Sequence, residues 1–173
     1  MDFDNLFKSS EKEGNNSKAG NNTTSELINI QNVVDNHARY KMPKLQSRIK
    51  DKGKFAETFV SNLPDIAKSL KISLASIIKF IELNLGSQFL LADKNDLSSY
   101  YIKGRFSYEQ LYEPLRLFID QYVLCHKCGL PELEYVTHKS AFMRRNCKSC
   151  GDSVKVDIKD KIYKLFKTEV QLN

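Results

Sequence analysis

The chain contains four cysteines, and they form two Cys-x-x-Cys pairs separated by eighteen residues. The pairs are Cys125 with Cys128 and Cys147 with Cys150. A tetrahedral Zn²⁺ ion takes four soft ligands, and a two-residue gap lets one tight turn supply two of them. Gly129 and Gly151 follow the pairs, and glycine adopts without strain the positive φ that such turns often need. The pattern therefore predicts a zinc site with four thiolate ligands.

Disulfides and a redox centre are weaker interpretations of these cysteines. The first residues, Met-Asp-Phe-Asp-Asn, lack the basic start and apolar run of a secretory signal, so they do not indicate an oxidising compartment. A redox motif would need only one pair. Four thiolates fill the coordination sphere of zinc and leave no place for water, so we expect a structural ion. His126 and His138 are expected to be surface side chains rather than ligands.

Charge is divided unevenly along the chain. Residues 1–36 contain six acidic and three basic residues and so carry a net charge of −3. Since the whole chain carries +6, the remaining residues carry +9. A basic body is attracted to polyanions, of which RNA is the most abundant in a cell. No run approaches the roughly 18 consecutive apolar residues of a membrane span. We therefore expect a cytoplasmic protein that contacts RNA and no membrane.

Apolar and polar residues alternate in a way that predicts two β-hairpins. Their strands are expected at residues 44–50 with 55–60 and at residues 88–91 with 100–103. Two helices lie between the hairpins: one begins at Ser61 or Asn62, and the other follows Ser73 and ends at Gly86. A DNA-binding helix-turn-helix is one interpretation of this pair. Two helices packed on a small antiparallel sheet, in an α+β fold, is the interpretation we prefer.

A third helix is predicted to link this domain to the metal module. Apolar residues recur at helical spacing from Ser107 to Val123, and the run leads directly to Cys125. Pro114 interrupts the run, so the helix should begin near Tyr112 or bend at the proline. Short strands at residues 134–136, 141–143 and 154–158 then complete a zinc ribbon.

These patterns divide the chain into five parts. They are a disordered tail (1–27), an α/β domain (28–106), a linker helix (107–123), a zinc ribbon (124–158) and a basic tail or short amphipathic helix (159–173). Residues 8–25 contain no large apolar side chain, so they cannot bury enough surface to offset the entropy of ordering.

Several segments resemble a family of translation initiation factors, namely the N-terminal region of eukaryotic initiation factor 5 and the C-terminal part of the initiation factor 2 beta subunit. The resemblance covers about residues 28–155. It is carried by residues 39–45 (Arg-Tyr-Lys-Met-Pro-Lys-Leu), 62–70, 83–86, 102–106 and 122–125, together with the two cysteine pairs. Residues 39–43 and 146–151 look more like factor 5, whereas residues 102–106 and 125–128 look more like the beta subunit.

The resemblance implies a factor of the preinitiation complex that contacts the GTP-binding gamma subunit of initiation factor 2, the initiator tRNA and the small ribosomal subunit. Arg39 matches the arginine with which factor 5 accelerates GTP hydrolysis on that subunit. A guanidinium supplied in trans can neutralise charge on the transferring γ-phosphoryl group. Lys79 matches a helper lysine, and Glu57 stands where the family has another. GTP would be bound only through the partner.

Basic residues of the ribbon, and Lys41 outside it, are candidate contacts with RNA or with an acidic partner. This set is Lys41, Lys127, Lys139, Arg144, Arg145 and Lys148. Tyr135 and Phe142 are interleaved with them, and we expect both aromatic side chains to pack in the small module.

Three classes of function remain open. The chain has no Gly-rich phosphate loop and no nucleophile to spare once zinc takes the cysteines, so it should not be an enzyme by itself. The preferred hypothesis is an initiation factor that activates the GTPase partner through Arg39. The alternatives are a beta-subunit-like tether without activation and a general nucleic-acid-binding zinc protein. A mobile arm before residue 40 would favour activation, whereas a buried apolar helix there would favour the tether.

Overall fold

The computed structural model describes residues 26–31, 38–52, 55–93, 96–138, 142–156 and 162–166. The expected disordered tail falls almost wholly outside these ranges, as do the turns of the two predicted hairpins. Among the helices described, none is both long enough and apolar enough to span a bilayer.

A two-stranded antiparallel sheet begins the described chain, and the sequence patterns did not predict it. Strand β1 (Leu27–Asn29) pairs with β2 (Lys41–Pro43), with Leu27 opposite Pro43. Ile30 and Met42 are almost completely buried. Strands of three residues are too short to show the alternation that identifies a strand in sequence. In the described part of the chain before residue 40, Leu27–Asn29 is a strand and not a helix, Ile30 is buried and Leu27 is exposed.

The two predicted hairpins form one four-stranded antiparallel sheet. Its strands are β3 (Ser47–Lys52), β4 (Phe55–Val60), β5 (Phe89–Asp93) and β6 (Asp96–Lys103), in the order β3-β4-β6-β5. The first strand begins three residues later than the expected residue 44. Thr58, Val60 and Ile102 are fully buried beneath the helices, so the residues that alternate with them face away from the helices.

Helices α1 (Leu63–Leu70) and α2 (Leu74–Leu85) cover one face of this sheet, as predicted. Asn62 precedes α1 as expected, but its side chain does not cap the helix. Its Oδ1 accepts from the backbone N–H of Gln46 at 2.9 Å, and its Nδ2 donates to the carbonyl of Lys44 at 2.7 Å. A buried asparagine therefore fixes the chain between β2 and β3 to the start of the helix.

The linker helix is α3 (Tyr108–Phe118), so of the two alternatives for Pro114 the one in which the helix begins near Tyr112 is wrong. Ser107 and Gln110 form a reciprocal capping box that starts the helix at Tyr108, and Pro114 lies inside it. Five residues of π-helix follow, Ile119–Val123, in which the N–H of Leu124 donates to the carbonyl of Ile119 at 2.9 Å. We call Ile119–Val123 the π turn.

The C-terminal module is a three-stranded antiparallel sheet, which we call the ribbon. Its strands are β7 (Leu133–His138), β8 (Phe142–Cys147) and β9 (Ser153–Val156), with β8 in the centre. The first two are longer than predicted. Ala141 and Ile158, which were expected in strands, lie outside the described residues. A short helix, α4 (residues 162–166), follows, and its Ile162 and Phe166 are buried.

Tyr122 joins the two halves of the structure. Its ring lies 5.6 Å from that of Phe80 on α2 and 5.9 Å from that of Phe166 on α4, measured between centroids. Tyr135 of the ribbon donates a hydrogen bond from its hydroxyl to the carbonyl of Tyr122 at 2.7 Å. We call this cluster, with Phe118 and Tyr163, the Tyr122 junction. One continuous apolar core thus spans the sheet domain, the linker and the ribbon.

We expect Phe166→Ala to lower the free energy of unfolding by about 3 kcal/mol, because a buried ring is replaced by a cavity. Urea denaturation followed by circular dichroism measures the loss. Leu117→Ala is the matched control, since Leu117 lies on α3 but its side chain is 46% exposed. Equal stability of the Phe166→Ala variant and the wild type would show that α4 is not part of the core.

Candidate functional site

The four cysteine sulfurs lie within 4.8 Å of one another, as the sequence predicts. The Sγ atoms of Cys125 and Cys150 are 3.7 Å apart, as are those of Cys128 and Cys147. Four sulfurs around one ion with a bond of about 2.3 Å would be separated by about 3.8 Å. A disulfide needs about 2.05 Å, so these cysteines are not bridged. The arrangement is suited to one metal ion.

Two similar turns place the sulfurs, and we call them the first knuckle (residues 125–130) and the second knuckle (residues 147–152). The N–H of Gly129 donates to the carbonyl of Cys125 at 2.7 Å, and the N–H of Gly151 donates to that of Cys147 at 3.0 Å. The φ angles of the two glycines are +70° and +71°. Any residue with a Cβ would be strained there, which confirms the turn chemistry inferred from sequence.

The cysteine thiols differ in how readily they ionise. Burial disfavours the Cys125 thiolate, but the N–H groups of Cys128 and Lys127 donate to its sulfur and, with the neighbouring thiols, lower its pKa to about 7. At Cys150 the N–H of Asp152 favours the thiolate, yet burial and the neighbouring sulfurs raise the pKa to about 12. Four thiolates at this spacing therefore need a bound cation to offset their repulsion, and metal binding must release protons.

His126 is not part of the sulfur cluster. Its side chain is exposed, and its Nδ1 lies 3.0 Å from Nη2 of Arg145. This agrees with the expectation of a surface histidine. The side chain of His138 lies outside what the structure describes.

Arg39 precedes β2 in a segment, residues 38–40, that we call the Arg39 segment. The Arg39 side chain is exposed, and its guanidinium carbon lies 5.7 Å from the centroid of the Tyr40 ring. The hydroxyl of Tyr40 donates to Oε1 of Glu132 at 2.8 Å, and this bond to a carboxylate raises the pKa of Tyr40. The carbonyl of Tyr40 accepts from the N–H of Ile30 at 3.1 Å.

A second connection ties the same region to the first knuckle. Nε2 of Gln31 donates to the carbonyl of Gly129 at 2.9 Å, and Nη1 of Arg116 donates to the carbonyl of Ile30 at 2.5 Å. The chain on both sides of residues 32–37 is thereby attached to the metal module. The sequence did not predict these contacts because Gln31 and Gly129 are 98 residues apart.

The family has helper lysines at the positions of Lys79 and Glu57. Among the contacts described, neither residue lies against Arg39. Nζ of Lys79 on α2 lies 3.3 Å from Oε2 of Glu82. Glu57 lies on β4, directly opposite Lys50 of β3 and Lys103 of β6. A carboxylate between two lysines is favourable across strands, so Glu57 has a local structural reason for its charge.

The basic residues predicted as partner contacts do not form one surface. Lys41 and Lys127 are exposed, whereas Lys139 lies outside the described residues. Arg144 and Arg145 are neighbours on β8 and point to opposite faces of the ribbon. Arg144 donates from Nε to Oγ of Ser153 at 3.0 Å, and Arg145 contacts His126 as described above. Nζ of Lys148 lies 3.2 Å from a carboxylate oxygen of Glu134.

The two aromatic residues of the ribbon also differ. Tyr135 packs against Phe166 with 4.6 Å between centroids, and burial raises its pKa, so its expected packing role is confirmed. Phe142 lies on the opposite face, partly exposed, with Nζ of Lys155 5.1 Å from its centroid.

We expect one metal ion per chain, measured by elemental analysis of the purified protein. Cys147→Ser should lose the ion, because Cys147 is a buried ligand in the geometry above and a hydroxyl is a poor replacement for a thiolate. Ser149→Ala, a change inside the same knuckle at an exposed position, is the control and should retain the ion. Full metal content in the Cys147→Ser protein would contradict the four-sulfur site.

Comparison with known proteins confirms the resemblance seen in the sequence. A probable translation initiation factor 5 of Schizosaccharomyces pombe is 36% identical to this chain over 137 residues, which are 78% of the chain and 34% of that protein. Translation initiation factor 5 of Caenorhabditis elegans is 35% identical over 130 residues, 75% of the chain and 29% of that protein. For the Saccharomyces cerevisiae factor the values are 33% over 131 residues, 74% and 32%.

The chain therefore spans about a third of the length of these relatives. A family model described as the domain found in initiation factors 2B and 5 matches residues 30–153, which include the Arg39 segment, both hairpins, α1 to α3 and all four cysteines. Because this match covers more than half of the chain, the protein belongs to the family of translation initiation factors defined by that shared domain.

Proposed function

We propose that this protein is a cytoplasmic translation initiation factor that stimulates GTP hydrolysis by the gamma subunit of initiation factor 2, with Arg39 as the activating residue. The observation that supports the proposal is the placement of Arg39. Its guanidinium is exposed, while Tyr40 and Gln31 attach the surrounding chain to the ribbon and its first knuckle through bonds of 2.8 and 2.9 Å. The described chain beside Arg39 is therefore not the mobile arm that was expected to favour activation. An exposed cation on an anchored segment can still be delivered to a partner, in a defined orientation.

The chemistry needed from Arg39 is electrostatic. During phosphoryl transfer negative charge spreads over the oxygens of the γ-phosphoryl group, and a guanidinium inserted in trans stabilises that charge with a planar set of donors. The partner supplies the nucleotide site, so this chain would act on the GTPase without being a hydrolase itself. Lys79 would assist only if the partner brought it near, because its ammonium lies beside Glu82 here.

We infer that the metal is zinc and that its role is structural. Four sulfur ligands at tetrahedral spacing suit Zn²⁺, and they leave no position for a reacting water. The ion would hold the first knuckle in the shape that presents the Gly129 carbonyl to Gln31. Zinc would thus act on the Arg39 segment indirectly, by fixing the first knuckle, to which Gln31 is hydrogen-bonded.

The remaining partners would be the initiator tRNA and the small ribosomal subunit. Lys41 on β2, and Lys127, Arg145 and Lys148 at the ribbon and its knuckles, are cationic positions that suit contact with RNA phosphates or an acidic protein surface. Such contacts should weaken steeply with added salt, because binding releases counterions from the RNA.

A second candidate function is that of a tether that binds the gamma subunit without activating it. Glu57 favours this alternative, because a carboxylate replaces one of the two helper lysines expected from the resemblance. The burial of Ile30 before residue 40 also resembles a tether, although it occurs beside a strand pair and not in a helix. The two candidates differ in whether hydrolysis accelerates, so one assay separates them.

In single-turnover GTP hydrolysis by the initiation factor 2 complex on small ribosomal subunits, wild type should accelerate the reaction and Arg39→Lys should lose most of that effect. Arginine fingers contribute on the order of 10³-fold or more to the rate, and an ammonium lacks the planar fork. Arg105→Ala is the control, since Arg105 is an exposed arginine paired with Asp51. Equal acceleration by Arg39→Lys would overturn the proposal, and binding of wild type without acceleration would establish the tether.

We further expect Tyr40→Phe to reduce the acceleration about tenfold while metal content stays at one ion per chain. The variant keeps the ring but removes the hydrogen bond to Glu132 that holds the Arg39 segment against the ribbon. The same hydrolysis assay and elemental analysis give both values. Unchanged acceleration would show that anchoring the Arg39 segment to the ribbon is unnecessary.

A further inference from the structure

The four-stranded sheet has one face that its own helices leave uncovered. Residues on this face alternate with the buried Thr58, Val60 and Ile102. One row of directly opposed residues crosses all four strands on the open face. In the order β3, β4, β6, β5 it is Arg48, Phe59, Tyr101 and Leu90.

The two central strands of this row carry aromatic side chains in contact. The rings of Phe59 and Tyr101 are 5.5 Å apart between centroids, with an angle of 27° between their planes. Both side chains are only partly buried. Aromatic rings usually sit in a core, so a stacked pair on an open face needs an explanation that the fold itself does not supply.

Positive charge adjoins the pair. Nζ of Lys50 lies 4.3 Å from the centroid of the Phe59 ring, and Arg48 is the exposed neighbour of Phe59 in the row. Glu57, a carboxylate on the same face, lies opposite Lys50 and Lys103, and Asp93 lines the groove beside Phe59. The balance of charge beside the rings therefore favours an anionic partner.

A groove of about 500 Å³ opens beside Phe59. Its walls include Arg48, Lys50 and the small hydroxyl side chains of Ser47, Ser61 and Ser99, with Asp93 at one side. These groups give hydrogen-bond donors and acceptors next to an aromatic face. The groove has room for a planar polar ring beside Phe59, with a phosphate near Lys50 or Arg48.

We propose that the open sheet face is a binding platform for single-stranded RNA, in which a nucleobase stacks on Phe59 or Tyr101 and the adjoining phosphates contact Arg48 and Lys50. Stacking on aromatic rings beside cations is how proteins bind unpaired nucleotides without a fixed sequence. An acidic peptide would use the cations but would gain little from the two partly buried rings. This site is distinct from the Arg39 segment and does not depend on GTP hydrolysis.

The first test measures binding of a fluorescein-labelled, unstructured, uridine-rich RNA to the full chain by fluorescence anisotropy. Phe59→Leu and Tyr101→Leu should each weaken binding about 5- to 100-fold, the range of losses when a stacked base loses its aromatic partner. Tyr101→Phe should bind like wild type, because the ring remains. The same RNA annealed to its complement should bind more weakly, because its bases are no longer open to stacking.

The matched control is Phe142→Leu on the ribbon, which also removes a partly exposed ring beside a lysine. It should leave the affinity for single-stranded RNA unchanged. An equal loss in Phe142→Leu and Phe59→Leu would overturn the proposal, as would unchanged affinity in Phe59→Leu or tighter binding of the duplex or of an acidic peptide.

A second measurement on the wild-type chain covers the case in which a leucine variant fails to fold. RNA carrying 5-iodouridine should crosslink under ultraviolet light to the rings on which its bases stack. Mass spectrometry should place the crosslinks on the peptides that contain Phe59 or Tyr101. Crosslinks confined to the ribbon, or no binding of RNA by the wild type, would overturn the proposal.

Discussion

The arrangement of this protein depends on the packing around Tyr122. That ring contacts Phe80 of α2 and Phe166 of α4, and the Tyr122 carbonyl accepts the hydroxyl of Tyr135 from the ribbon. A small metal module has too few apolar residues to form an extensive core alone. Through the Tyr122 junction the ribbon packs onto the core of the sheet domain. This packing fixes the orientation of the ribbon relative to the sheet domain, which the four cysteines alone would not do.

This fixed orientation is what gives the Arg39 segment its position. Tyr40 bonds to Glu132 beside the ribbon, and Gln31 bonds to Gly129 in the first knuckle. On the side of the sheet domain, the β1–β2 pair and the bond from Arg116 to Ile30 hold the chain. The segment therefore spans the boundary between the two modules. Its geometry follows from the four-cysteine cluster on one side and from α3 on the other.

Much of the structure was predictable where the signal is local. The cysteine spacing identified the metal cluster, the glycines identified the turns, and helical periodicity located α1 and α2. Pro114 was misleading, because the capping box at Ser107 and Gln110 starts α3 six residues before the proline. Local preferences compete, and a cap with two reciprocal hydrogen bonds outweighed the cost of one missing bond.

What could not be predicted depends on contacts between distant residues. The pairing of β1 with β2, the bond from Tyr40 to Glu132 and the neighbouring rings of Phe59 and Tyr101 all require the strand order or the docking of the ribbon. The alternation along β4 shows that Phe59 and Glu57 share a face, but not that Tyr101 lies opposite Phe59. Lys79 shows the converse, since a position matched by family resemblance makes an ordinary local ion pair with Glu82 here.

The π turn has a consequence for how the gene can change. Each residue added to or removed from a helix rotates everything beyond it by about 100° and shifts it by about 1.5 Å. Between Phe118 and Cys125 such a change would move the ribbon out of its packing at the Tyr122 junction and carry Gly129 and Glu132 away from Gln31 and Tyr40. Insertions in the connection between β3 and β4 would disturb neither contact. Single-codon insertions and deletions should therefore be tolerated in that connection and selected against in the linker, even at linker positions where a substitution would be neutral.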